Sequence, residues 1–519
     1  MEFIRKTIKN WLYVDTRTLA LFRICFGFMG LIDVLRRFGV IEVFYSDSGM
    51  NFRREVTSKY SIKYFSLLDH FHATTEVQLF FIVTAICFLF LIIGYKTRLF
   101  QLLSAVGLIS IHNAAVILEN GADMVFNNFL IWSLFLPLGA SWSVDSIRKS
   151  LRKQPEFDTH DLNKTVHTES TQIFHFAYIA CLVQLALIYF YTYINKTGTM
   201  WSDGTAVYYM YQLETFLSPI GEWIAQFIGF SFSRLMTLST VSFEIYTTFA
   251  ILCPILQPWL RRIALIILIS FHGIIAISVN IGLFSWVMLA ALILLLSYKD
   301  MDILKNLISR YCKRNYTVFY DRDCGFCHFT ARVLKRMDVF ARITWKDRLS
   351  EGEKPKNINT LLETTIVVWD PITDEIWTRN KGFSRIISAL PLGFLFAWIL
   401  RIPVLEKLFG FMYDLISNNR SSVSKITGLP ACGIVQESSK SEVIEEKKSL
   451  LIHCKRGIWA ISNILILTLL IGAVDYSIRI NDGLQDLFPK EENITLIEIN
   501  NKEFAETFKT YFEIIWEII

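Results

Sequence analysis

The chain reads as an α-helical multi-pass membrane bundle of about nine spans with an α/β domain inserted before the last of them. Three observations lead there. Charge is scarce, apolar runs of near-span length recur, and one stretch interrupts them with short β-rich runs around a CGFC dithiol.

Charged residues make up 19% of the 519, against about 25% in a soluble protein of ordinary composition. Hydrophobic residues reach 53% and the mean hydropathy is +0.40. The 42 Phe, 20 Tyr and 13 Trp can supply both lipid-facing surface and interfacial aromatic belts, so the lipid bilayer is the first expected partner. A net charge of +5, spread over loops, gives no stripe for nucleic acid and suits loops facing anionic lipid. Cys25, Cys87, Cys181 and Cys253 lie in apolar runs, where cysteine behaves as a small hydrophobe. The basic N-terminal stretch lacks the short apolar core and small-residue site of a cleavable signal, so the first span is expected to anchor the chain.

Eight apolar runs precede residue 300, near 18–38, 77–94, 98–118, 124–140, 172–194, 235–256, 260–281 and 282–298; a ninth lies at 458–474. The stretch 207–228 suits an amphipathic helix at the interface. Lys and Arg of the short loops favour an N-terminus inside. Arg5, Lys6, Lys9, Lys96, Arg98, Arg148, Lys149, Arg152, Lys153, Arg261 and Arg262 fall on one side; on the other the turns 119–123 and 280–282 hold none, the long first loop with Arg53, Arg54, Lys59 and Lys63 being the exception. The expected location is the inner (plasma) membrane. The expected division is a bundle over 1–299, a cytoplasmic dithiol domain over 313–435, a polar linker over 436–456, a last span over 457–475 and an outer tail over 476–519.

In the inserted domain, TVFYD (317–321) reads as a strand, and from Cys327 onward Phe329, Val333, Leu334 and Met337 recur at helical spacing. Cys324 thus falls at a helix N-terminus, where unpaired amides and the helix dipole stabilise a thiolate. Cys327, one turn on, is placed to resolve a mixed disulfide formed by Cys324. RITW (342–345) and TTIVVWD (364–370) read as further strands, with helices over 381–390 and 403–418. That β-α-β order suits a thioredoxin-like layer. Two other readings stand beside the redox dithiol. One is a buried cysteine pair. The other is a zinc site drawing on Cys312, Cys432 or His328, although no second paired spacing is present.

The segment YDRDCGFC resembles the signature of the DCC-type thiol-disulfide oxidoreductase family, matching at Asp321, Asp323, Cys324, Gly325 and Cys327, and the likeness continues through KGFSRIISALP (381–391) and YDLISNNR (413–420). The resemblance implies dithiol–disulfide exchange of the protein-disulfide reductase type, with Cys324 attacking, Asp321 and Asp323 beside the site, and a protein thiol or disulfide as partner. One departure is the lack of a proline directly before TTIVVW.

Polar groups inside spans are costly and often functional; here they are Arg23, Asp33, His112, His175, Glu244 and His272. Mutual or interhelical pairing is the expectation for Arg23 and Asp33, and snorkelling to the interface is the ordinary role of a span-end lysine such as Lys196. Taken in order, however, DTRTLALFRICFGFMGLIDV (15–34), SLFLPLGASWSVD (133–145), NKTGTMWSDGTA (195–206) and SFHGIIAISVNIGLFSWVMLA (270–290) resemble the HTTM domain, related to vitamin K-dependent γ-carboxylase. The resemblance implies a second membrane site: Lys196 as base, Trp201 and Gly204 completing its K-x(4)-W-x-x-G segment, His272 and Asp123 in support. It implies a quinone as that site's cofactor; no other cofactor and no metal are expected. A second lysine that carboxylases place before the base is Asn195 here. Two alternatives to the reductase therefore stand: a quinone- or lipid-dependent membrane modifying enzyme, and a non-catalytic maturation factor whose dithiol senses redox state. No inverted repeat supports a transporter.

Overall fold

The computed structural model describes residues 2–49, 66–115, 118–153, 171–311, 315–321, 324–347, 354–355, 361, 365–391, 393–419 and 422–423. The expected linker, last span and tail, together with Asp323, lie outside these residues. The described chain forms two compact units. Residues up to Leu138 and from Gln172 to Ser297 make the first; residues 139–153, Thr171 and the described residues from Tyr298 to Val423 belong to the second.

The first unit is helical. It opens with α1 (Glu2–Leu12), β1 (Tyr13–Asp15) and α2 (Thr16–Phe38), followed by α3 (Thr74–Ile93), α4 (Thr97–Ala114) and α5 (Gly121–Leu134). After α6 (Val144–Lys153), which belongs to the second unit, it resumes with β2 (Gln172–Phe174), α7 (Phe176–Ile194), α8 (Phe230–Leu252), α9 (Trp259–Ser278) and α10 (Phe284–Leu292). The Asp15 side chain caps α2 by accepting the Arg17 amide at 2.7 Å, and β1 pairs antiparallel with β2. Helices α2 and α3 pack closely because Gly30 leaves room for the Phe88 ring, into which any β-carbon would run. Behind that seam Phe22, Phe26, Phe126 and Phe129 form a buried aromatic column, with the Phe26 and Phe126 rings stacked at 4.2 Å between centroids.

Among the described residues five helices, α2, α3, α7, α8 and α9, are long and apolar enough to cross a membrane. That is fewer than the eight runs expected before residue 300, for physical reasons visible in the others. At about 1.5 Å of rise per residue, the 14 residues of α5 reach only about 21 Å. Helix α4 carries buried Gln101, Ser104, Ser110, His112 and Asn113. The run near 282–298 is divided into α10 and the 3₁₀ turn Ile293–Leu295. The stretch 207–228 forms short helical pieces, including Ala206–Met210 and Pro219–Ala225, in place of one amphipathic helix.

The second unit contains α6, α11 (Tyr298–Tyr311), β3 (Tyr316–Tyr320), α12 (Gly325–Met337), β4 (Ile343–Asp347), β5 (Val367–Trp369), β6 (Ile376–Thr378), α13 (Arg379–Ala389) and α14 (Pro403–Asn418). The sheet order is β4-β3-β5-β6, with β3 parallel to β4 and the β5–β6 hairpin antiparallel. Every residue of β3 is buried, as befits a central strand covered on both faces. Val318, Tyr316, Tyr320 and Ala331 share one core with Trp345 and Ile386.

Asp338 joins α12 to β4. Its carboxylate accepts the Arg342 amide at 2.9 Å and the Ile343 amide at 2.8 Å. Burial pushes its pKa up, while those two donors pull it back. Asp338→Ala strands two amides near the start of β4 and is expected to cost about 1–3 kcal/mol. In the full-length protein, limited proteolysis should then cut between β3 and α13 faster than in wild type. Equal rates would contradict the anchoring role.

Candidate functional sites

The dithiol sits where β3 hands the chain to α12. Cys324 is the N-cap of α12, in extended backbone geometry, and its sulfur accepts the Cys327 amide at 3.4 Å. An amide donor at a helix N-terminus favours the charged thiolate. Cys324 is only 2% exposed, whereas Cys327 is half-buried and more open to a partner. His328 is buried beneath Tyr320, with ring centroids 6.0 Å apart. Asp321 lies half-buried at the end of β3. The zinc alternative cannot be followed to Cys312 and Cys432, which fall outside the described residues.

Helix α6 packs on α12 within the same unit. Arg336 Nε donates to Ser150 Oγ at 2.9 Å and Arg332, almost fully buried, donates to the Leu151 carbonyl at 3.4 Å. Burial and neighbouring Arg332 push the Arg336 pKa down to about 10. Spacing within the CGFC segment gives no hint of this brace, because its other half lies far back in the chain.

In the bundle, Lys196 Nζ lies 2.7 Å from each carboxylate oxygen of Glu244 on α8 and 4.9 Å from the Trp201 ring centroid. Lys196 and Trp201, both from the K-x(4)-W-x-x-G segment, thus lie side by side, with Glu244 as the counter-ion. The hydroxyl of Tyr189 lies 2.9 Å from Nε2 of His272 on α9, and the His272 ring lies against Phe271 and Phe284. Its Nδ1 is buried without a hydrogen-bond partner. Tyr189 lies within α7, whereas Lys196 follows its end at Ile194, so the two pairs sit at successive positions along this stretch of chain.

Asp123 belongs to a different cluster. Its carboxylate meets Arg37 at 2.7 Å and, in a reciprocal cap of α5, accepts the Asn120 amide at 3.2 Å. Arg37 also meets Asp33 at 3.1 Å, and Arg36 meets Asp33 at 2.7 Å. His112 places Nε2 2.8 Å from Asp33 and Nδ1 2.9 Å from the Asn127 side-chain oxygen. Asp33 is thus paired along its own helix and across to α4, whereas Arg23 donates to the Leu138 carbonyl at 2.8 Å. The Phe284 ring, which packs on His272, would lie 3.5 Å from a β-carbon on Gly121 at the start of α5. Asp33, His112 and Asp123 converge closely enough to hold a cation, all three being buried. Two guanidinium groups already neutralise those carboxylates, so the geometry suits an ion-pair network better than a metal centre.

Glu119, in the turn before α5, was not singled out by sequence. Burial pushes its pKa up to about 7, with Asp123 adding to the rise and His112 and Arg37 opposing it; its Oε1 has no hydrogen-bond partner. A folded-state pKa raised above the unfolded value contributes stability below pH 4.5, lost as pH climbs through about 7. Wild-type protein should therefore lose thermal stability between about pH 5 and 8, and Glu119→Gln should flatten that slope. An unaltered slope in the variant would contradict the assignment.

Helices of span length joined to a four-stranded layer bearing a helix-capping dithiol define a membrane protein with a soluble-type redox module. The HTTM domain model matches residues 12–300, more than half of the chain, and the DCC1-like thiol-disulfide oxidoreductase model matches residues 318–425. The chain belongs to the HTTM domain family and carries a DCC1-like domain after it. No curated protein and no solved structure matches it.

Proposed function

We propose that the protein is a membrane-anchored protein-disulfide reductase whose dithiol domain works in the cytoplasm. The observation that carries this is Cys324 capping α12 with the Cys327 amide on its sulfur. The β3-α12-β4 unit followed by the β5–β6 hairpin and α13 supports a thioredoxin-like layer. Thr365 and Ile366 lead into β5 where thioredoxins place a proline, and the Thr365 hydroxyl meets the Tyr413 hydroxyl at 2.7 Å.

The Cys324 thiolate attacks one sulfur of a partner disulfide, forming a mixed disulfide and releasing one partner thiolate. The Cys327 thiolate then attacks the Cys324 sulfur, releasing the second partner thiolate and leaving a Cys324–Cys327 disulfide. Two electrons pass to the partner, and a cytoplasmic thiol reductant restores the dithiol. A reducing compartment favours this direction, and the loop-charge pattern favours that side of the plasma membrane. Because Cys324 is the buried sulfur, its attack requires the partner disulfide to enter the site.

Cys327→Ser should trap a mixed disulfide with partner protein that a reductant dissolves, while Cys324→Ser should trap none. Trapping only by Cys324→Ser would reverse the two roles, and trapping by neither would sink the reaction.

A second reading rests on the Lys196–Glu244–Trp201 group: a membrane modifying enzyme in which Lys196 is the base and a quinone the cofactor. Three aromatic rings around His272 and its buried Nδ1 give an apolar surround with one polar atom to spare, which suits a ring-shaped ligand. Burial pushes the Lys196 pKa down while the Glu244 pairing pulls it back up, and the same carboxylate is placed to take the ammonium proton. Quinol oxidation by membranes carrying Lys196→Ala, if equal to wild type, would remove this reading.

A further inference from the structure

The redox unit carries an apolar face that the chemistry does not use. On α14 Val404, Leu408, Phe411, Met412 and Leu415 recur at the spacing of one helical stripe. All five are exposed, Val404 by 77% and Phe411 by 66%. Tyr413 points the opposite way: its hydroxyl meets Thr365 and the Ile366 amide, and its ring centroid lies 6.0 Å from that of Phe383. The stripe therefore faces away from the sheet. Just before it, Phe396 and Trp398 are also more than half exposed.

We propose that this face is a lipid-docking surface, seating the dithiol unit in the interfacial layer of the bilayer. Three features select lipid as the occupant. First, the tether is short: α11 begins at Tyr298, directly after the 3₁₀ turn Ile293–Leu295 that ends the bundle, and Gly139 leaves the bundle into the same unit. Secondly, α11 repeats the apolar pattern, with Ile303, Leu304 and Leu307 exposed among the charged residues Lys299, Asp300, Asp302, Lys305 and Arg310. Thirdly, exposed Lys407 borders the α14 stripe, where a long cationic side chain can reach headgroups while its stem lies on apolar surface. Trp398, just before the stripe, is the residue type that collects at membrane interfaces. An aqueous domain would rarely leave so many large apolar side chains uncovered in one patch. The 16 residues of α14 give the stripe a length of about 24 Å. It thus suits a helix lying in the interface plane, not one that spans.

The test places the photo-crosslinker p-benzoylphenylalanine singly at positions 404, 411 and 381 of the full-length protein, reconstituted in nanodiscs of phosphatidylcholine and phosphatidylglycerol. Lys381 is exposed on α13 and serves as the polar reference. Irradiation and mass spectrometry should find lipid adducts at 404 and 411 at least about ten-fold over position 381. Equal adduct levels at all three positions would overturn the proposal. So would cross-linked dimers, which would make a second copy the occupant, or cross-links from 404 and 411 to residues 457–475 of the same chain. Both test positions are exposed, so folding is not at stake, and their agreement guards against a local artefact.

Discussion

Charge taken out of water must meet its opposite, and within an apolar bundle that requirement fixes which helices lie together. Arg37 satisfies it by reaching both Asp33 on its own helix and Asp123 at the start of α5. His112 brings α4 into the same network through Asp33. The N-terminal end of α5, the turn holding Glu119 and the C-terminal end of α2 are thereby drawn to one place. The aromatic column of Phe22, Phe26, Phe126 and Phe129 extends the same α2–α5 contact as an apolar seam. Removing one member of such a network costs more than the pair contributes, because the remaining charges lose their partners.

The same rule, applied along α7, gives the Lys196–Glu244 and Tyr189–His272 pairs, each joining α7 to a different helix. The His272 Nδ1, like Glu119 Oε1, is a buried polar atom without a hydrogen-bond partner. The dithiol layer solves a different problem. It holds a nucleophilic sulfur at a helix N-terminus, packs the Tyr320 ring against His328 of that helix and braces its later turns with α6.

Local signals were legible in the sequence, and partnerships across the chain were not. The strand over 317–321, the helix beginning beside Cys324 and the helix over 403–418 follow directly from residue spacing, because each is encoded within a short window. The Lys196–Trp201 association is likewise readable from one segment. Glu244 is visible only as a polar residue inside a span, since its partner lies a whole helix away in the chain. Resemblance groups Asp123 with Lys196 and His272 because apolar runs conceal which turns meet; its carboxylate instead pairs with Arg37. Counting apolar runs also overstates span-length helices among the described residues, since hydropathy does not see that α5 stops at Leu134 or that α10 gives way to a 3₁₀ turn. The stripe on α14 is legible as amphipathic, but only burial shows that its apolar side is the one left uncovered.

The central claim is that Cys324 and Cys327 form a working redox couple. Equilibrating the full-length protein with glutathione buffers of graded potential, quenching with acid and mapping cysteine pairs by mass spectrometry tests it directly. One intramolecular Cys324–Cys327 disulfide should form and titrate reversibly as a two-electron couple. Failure of that disulfide to form at any potential, with both cysteines instead accumulating separate glutathione adducts, would contradict it.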